Sequence, residues 1–155
     1  MLFRSLDRLT QAVAPNSTYA YEYDLTGNRT ARSAGSASSA FVNDPARNRL
    51  SQITGASPRS FTYDSAGNTL SDGANTFAYD SRGRLVQAVS SVGTTSYHVD
   101  AQGRRVRKAN TNQIIGDTVY HYDTGGNLIA ETLPSGATRR EYFYLLDVPV
   151  GISVQ

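Results

Sequence analysis

The sequence predicts an all-β chain, built from tandem antiparallel β-hairpins laid side by side in a curved sheet strip. Three observations carry this: a composition poor in helix-building runs, one short motif written six times, and aromatic residues at spacing two within it. Gly, Ser, Thr and Asn are plentiful over the 155 residues, and runs of Leu and Ala are missing. That mixture favours many short strands joined by turns. Ten Tyr and five Phe supply apolar surface that a disordered tract lacks.

The motif is clearest in "FTYDSAGNTL", which starts at Phe61, and returns as "YEYDLTGNRT" from Tyr21, "FAYDSRGRLV" from Phe77 and "YHYDTGGNLI" from Tyr120. Its Asp falls at Asp24, Asp44, Asp64, Asp80, Asp100 and Asp123, in steps of 20, 20, 16, 20 and 23 residues. Three residues before it stand Tyr21, Phe41, Phe61, Phe77, Tyr97 and Tyr120. With aromatics at 10% of the chain, chance would give six in six on the order of once in a million, so the repeat is real. One residue before the Asp come Tyr23, Tyr63, Tyr79 and Tyr122, with Asn43 and Val99 as lapses. Three after it come Gly27, Gly67, Gly83, Gly103 and Gly126, with Arg47 the exception, and the fourth is always Asn or Arg.

Each position has a physical reason. Aromatics at spacing two line one face of a strand. The Asp suits the first position of a β-turn, where its carboxylate accepts backbone N–H groups further along. The Gly supplies the positive φ that closes a short hairpin loop with a bulge. A unit of about twenty residues then holds two short strands and two turns.

Taken in order, the chain opens on a half unit, Asp7-Arg8-Leu9, twenty residues before Gly27-Asn28-Arg29. The Ser/Ala stretch from Ser33 to Ala40 has a linker's composition. The repeat keeps its phase across it, so it reads as the far turn and flank of a hairpin. Asp44-Pro45 sits in a degenerate copy, "FVNDPARN". The step of 16 marks a tight hairpin at "SDGANT", and the step of 23 a longer one near "NTNQIIGD". "RLVQAV", from Arg84, resumes β-rich sequence with Leu85, Gln87 and Val89 expected on one face. No domain boundary is expected: residues 1–155 read as one segment of about six and a half units.

The bulk numbers and motifs favour no chemistry. A net charge of +2 makes no strong electrostatic case for nucleic acid or an anionic membrane. Zero Cys excludes a disulfide framework and a Cys-ligated metal. "MLFRSLDRLTQAVAPN" has charges where a signal-peptide core would be apolar, and no apolar run approaches a membrane span. Each aligned Asp is explained by its own turn rather than by a paired-carboxylate cleft. Calcium β-rolls use denser nonapeptide repeats, and neither His98 nor His121 is completed into a metal site by Cys or Glu. In "GRRVRK", Arg105 and Arg107 are expected on one strand face and Arg104 and Lys108 on the other, a solvated strand more than a binding patch. Arg side chains are equally suited to pair with turn carboxylates or stack on Tyr rings. The reading is therefore of no catalytic residue, no cofactor and no metal, with the aligned aromatics, Asp and Gly as structural positions.

This "YD..GN" or "YD..GR" pattern, with an aromatic two before the Tyr, resembles the YD repeat of bacterial Rhs toxin shells, of the C components of insecticidal toxin complexes, and of teneurins. The resemblance runs from Asp7 to about Val150. The tail "REYFYLLDVPVG", Arg140 to Gly151, looks like the region near the end of an Rhs core, where a Tyr-rich strand precedes a "D.P" turn. The resemblance implies a β-strip that spirals into a hollow shell enclosing a C-terminal toxin domain, in a protein that reaches the cell surface or exterior by a delivery system not encoded here. The closing "DP.G" motif of those cores is absent, and Asp44-Pro45 lacks its Gly, so no self-cleavage residue carries over.

Size points the same way. About thirteen strands at roughly 4.8 Å each make a strip about 60 Å wide, whereas enclosing a domain of ~100 residues takes a circumference above roughly 100 Å. The expected partners are neighbouring repeats and an enclosed domain, with self-association through unpaired sheet edges. The rival is a surface module whose Tyr and Arg rows hold glycans.

Overall fold

A computed structural model describes Leu2–Phe3, residues 8–112, Ile114 and residues 116–155. Asp7 of the opening half unit lies outside the described residues, where Arg8 and Leu9 lie within them. The chain is all-β, with seventeen strands and no helix among the described residues. It divides into two compact units, Met1–Ala74 and Asn75–Gln155.

The first unit holds β1 (Leu2–Phe3), β2 (Leu9–Ala14), β3 (Ser17–Tyr23), β4 (Arg29–Ala34), β5 (Ala37–Asp44), β6 (Arg49–Gly55), β7 (Arg59–Ser60), β8 (Thr62–Tyr63) and β9 (Thr69–Ser71). From β1 to β7 each strand pairs antiparallel with the next, and β8 pairs with β9. The Ser/Ala stretch is hairpin, not linker: Ala34 pairs with Ala37 around a two-residue turn at Gly35-Ser36. Gly35 has φ +59°, the left-handed backbone that such turns require.

The second unit holds β10 (Thr76–Tyr79), β11 (Leu85–Ser90), β12 (Gly93–Val99), β13 (Arg105–Asn110), β14 (Thr118–Tyr122), β15 (Leu128–Thr132), β16 (Thr138–Leu145) and β17 (Val148–Val154). These too pair antiparallel in sequence order. Seventeen strands exceed the thirteen expected because β1 precedes the half unit, the tail adds the β16–β17 hairpin and one strand is split. The split falls at Phe61, between β7 and β8, where the Phe61 N–H still donates to the Ser51 carbonyl at 2.9 Å.

Burial follows the period of two. In β3, Tyr19, Tyr21 and Tyr23 are half-buried while Thr18, Ala20 and Glu22 are exposed; Phe77 and Tyr79 alternate with exposed neighbours in β10. Among the described residues no apolar side chain is fully buried, and only Thr118, at 6% exposure, is buried at all. Each sheet thus has a rich face and a poor face.

Bulges overturn two of the face assignments. Tyr79 pairs with Leu85 but Ala78 pairs with Gln87, so Val86 is the extra residue. Leu85 consequently joins the half-buried aromatic face while Gln87 and Val89 stay exposed. Likewise Val99 pairs with Arg105 and His98 with Arg107. Arg105 and Arg107 therefore lie on opposite faces, and Arg105 sits over the Tyr97 ring at 4.3 Å. An extra residue shifts the side-chain period by one, which strict alternation cannot foresee. The tail's turn also differs from a "D.P" corner: Leu146 and Asp147, at φ +49° and +63°, form the loop, and Pro149 lies within β17.

Candidate functional site

The recurrent residues converge on one row of turns. In five copies the Gly N–H donates to the Asp carbonyl: Gly27 to Asp24, Gly67 to Asp64, Gly83 to Asp80, Gly103 to Asp100 and Gly126 to Asp123, at 2.9–3.2 Å. The Asp N–H in turn donates to the carbonyl four residues on, at 2.9–3.0 Å. These two bonds define a three-residue hairpin loop ending in a bulge, and its Gly must be left-handed. The five glycines have φ between +73° and +98°.

The carboxylate braces the same loop. Its Oδ1 accepts the backbone N–H of Asn28, Asn68, Arg84, Arg104 or Asn127 at 2.8–3.0 Å. Its Oδ2 accepts that residue's side chain: an Asn amide at Asp24, Asp64 and Asp123, an Arg Nε at Asp80 and Asp100. This accounts for the invariable Asn or Arg, since both present an N–H at that reach. The Asn28 amide and the Thr26 hydroxyl hold Asp24 down at about 2. Asp64 and Asp123 are lowered chiefly by the amides of Asn68 and Asn127, and Asp80 by the Arg84 backbone N–H and guanidinium. At Asp100 desolvation pushes upward, but the Arg104 bonds outweigh it and the carboxyl is again lowered.

Asp44 departs from the pattern. With Arg47 in the Gly position, the left-handed residue moves one place on to Asn48, at φ +53°. Asn48 donates its N–H to the Asp44 carbonyl at 2.8 Å, giving a loop one residue longer. Asn tolerates that conformation better than other side chains.

Tyr23, Tyr63, Tyr79 and Tyr122 lie half-buried beside the turns, and Tyr21, Phe61, Phe77, Tyr97 and Tyr120 are half-buried two residues behind. The two positions differ in a way the sequence reading missed. Tyr23 donates its hydroxyl to the Leu9 carbonyl (2.9 Å), Tyr63 to Leu50 (2.7 Å) and Tyr122 to Arg105 (2.8 Å). Tyr144 does the same to Leu128 at 3.0 Å. Leu50, Arg105 and Leu128 each lie just past the turn of the preceding hairpin. The signal was visible: the position before the Asp, where aromatic, is always Tyr, whereas Phe is accepted two places earlier.

Neighbouring turns also touch. Arg8 lies over the Tyr23 ring and Arg49 over Tyr63, at 5.4 and 5.6 Å, each beside the glycine of that loop. Arg104 lies over Tyr122 at 4.9 Å. The Asn28 amide donates to Asn48, and the Asn127 amide to Asp147. Within each unit, then, a spine of turns runs along one sheet margin, with several loops in contact with their neighbours. Chemically it presents carboxylates already saturated with donors, which suits a brace and not a general base.

His98 and His121 are exposed, and His121 Nε2 lies 2.9 Å from the Thr132 hydroxyl. Among the described residues no group of three or more acidic or His side chains is placed to hold a metal ion. No helix among them is long and apolar enough to cross a membrane.

Comparison with known proteins places this architecture. No curated protein matches the chain. Among solved structures it is similar to the crystal structure of TcdB2-TccC3-TEV (TM-score 0.58, 16% identity), covering 84% of this chain and 9% of that one. It is also similar to the Photorhabdus luminescens Tc holotoxin pore with a substituted TccC3 (TM-score 0.57, 17% identity), covering 84% of this chain and 8% of that one. The chain thus spans less than a tenth of either, and the likeness is one of fold. The teneurin YD-shell family matches residues 3–120, well over half of the sequence. With its repeated loops, bulges and Tyr caps in the same register, the chain belongs to the teneurin YD-shell family.

Proposed function

We propose that this chain is a wall segment of an Rhs-type toxin shell, which encloses a toxin domain and carries out no catalysis itself. What supports the reading is the combination of turn-to-turn contacts with the absence, among the described residues, of any fully buried apolar side chain. A sheet whose rich face is only half-covered gains most when further strip lies against it. Residues 1–155 act in this reading as one segment, its partners are other YD repeats and the enclosed domain, and the assembled protein works at the cell surface or outside the cell. The aligned aromatics, Asp and Gly serve as its structural positions.

The test is protection. Expressed with the repeats that flank it in its gene and with the domain they surround, the chain is expected to shield that domain from added protease. Digestion of that domain at the rate of its isolated form would overturn the reading.

A further inference from the structure

We propose that the second unit carries an oxyanion-binding pocket on its aromatic face, built by Lys108, Arg139 and Arg140 around Thr118. A cavity of about 470 Å³ opens there, lined by those residues together with Tyr120 and Glu131. Three cations from β13 and β16 line it, with the Glu131 carboxylate, Val154 and Gln155 completing its wall.

The arrangement depends on a bulge. Glu131 pairs with Arg140 but Thr132 pairs with Thr138, so Arg139 is the extra residue in β16. Consecutive strand residues ordinarily point to opposite faces, and a bulge re-aims one of them. Both arginines therefore line the same cavity. Lys108 arrives from β13 through its pairing with Thr118.

The charges are unevenly compensated. Arg140 reaches Glu131 at 3.5 Å, and Glu131 also accepts the Tyr142 hydroxyl. Arg139 donates to the neutral Thr118 hydroxyl at 3.3 Å. Among the described residues neither Arg139 nor Lys108 forms an ion pair. This contrasts with Arg84 and Arg104, which are bound to their own turn carboxylates at 2.7 Å. The pocket thus keeps two cations outside any direct ion pair, Arg139 feeling Asp117 only at longer range, beside a Tyr and a buried Thr, a donor set that matches a carboxylate or phosphate.

The shared chemistry is an oxyanion, and it can come from a small free anion or from an acidic side chain of a bound polypeptide. Titrating the full chain with inorganic phosphate and, separately, with a tetra-aspartate peptide, while following backbone amide resonances, separates these sources. Saturable shifts at Thr118 and Tyr120 are expected in at least one arm: phosphate alone assigns a small anion, the peptide alone an acidic chain. Lys108→Gln and Arg139→Gln should each weaken that binding at least about fivefold, while Arg32→Gln in the first unit leaves it unchanged. Should Arg139→Gln disturb the amide spectrum generally, Lys108→Gln decides alone. Absence of saturation in both arms, or equal affinity in Lys108→Gln and the parent, overturns the proposal.

Discussion

At the scale of single residues, the hydroxyl of Tyr63 and the missing side chain of Gly67 do separable jobs. Tyr63 donates to the Leu50 carbonyl at 2.7 Å, an acceptor displaced from regular pairing by the preceding turn. Tyr63→Phe keeps the ring under Arg49 and removes only the hydrogen bond, at a cost of about 1 kcal/mol. Tyr21→Phe, two positions behind the equivalent Tyr of its own hairpin, should cost much less. Urea midpoints of the two variants check this, and equal losses would show that the cap contributes nothing. Gly67 sits at φ +98°, and a Cβ there would lie 2.7 Å from an Arg49 guanidinium nitrogen. Gly67→Val is expected to lose upwards of about 1 kcal/mol to backbone strain. Ser65→Ala, in the same loop but exposed, should stay within about 0.5 kcal/mol. Similar melting of both would refute the left-handed requirement.

At the scale of the hairpin, the five braced carboxylates couple the fold to pH in one direction. Their pKa values are lowered in the folded chain, Asp24 to about 2 from an ordinary 3.8. The folded state therefore binds fewer protons than the unfolded one between those values. The stabilisation is complete above about pH 4 and fades as the pH falls through the folded values. Unfolding midpoints should thus drop between pH 4 and pH 2, and Asp24→Asn should show a shallower drop alongside a lower midpoint at pH 7. A flat profile across that window would mean that the turn bonds are not formed in solution.

Hairpins also show what sequence can and cannot tell. The phase of aromatic, Asp and Gly is local chemistry, since each turn is determined within five residues, so the all-β repeat was legible before any coordinates. The faces of Leu85 and Arg105 were not. Both lie immediately before a bulge, whose extra residue shifts the period by one. The role of Asp117 was equally hidden: it binds the Arg107 guanidinium and the Asn110 N–H, ten and seven residues back. Contacts between turns, such as Asn28 with Asn48 twenty residues away, need the register of the whole sheet. The Tyr-only position was readable, yet its meaning needed the carbonyl on the preceding hairpin.

At the scale of the whole molecule, β17 is the outermost strand of its sheet, bonded to β16 on one side. Its Val148, Val150, Ile152 and Val154 are each more than half exposed, as is Phe143 on β16. Unpaired N–H and C=O groups beside large apolar side chains form a template for another strand, and natural edges usually blunt such templates with Lys or a bulge. This one carries no charge between Val148 and Val154; Pro149 and the bulge at Val150 interrupt only its first half, which leaves Gly151 to Val154 open to pairing. We therefore expect the 155-residue chain to self-associate in a concentration-dependent way, which size-exclusion chromatography with light scattering would detect. The double change Val150→Lys and Ile152→Lys places two cations on the edge and should return the monomer, while Val13→Lys, an exposed Val of the first unit, should not. A parent chain that stays monomeric at high concentration would show that this edge does not recruit strands. Association that persists in the lysine variant would assign it to another surface, and the wall would then be joined elsewhere than at β17.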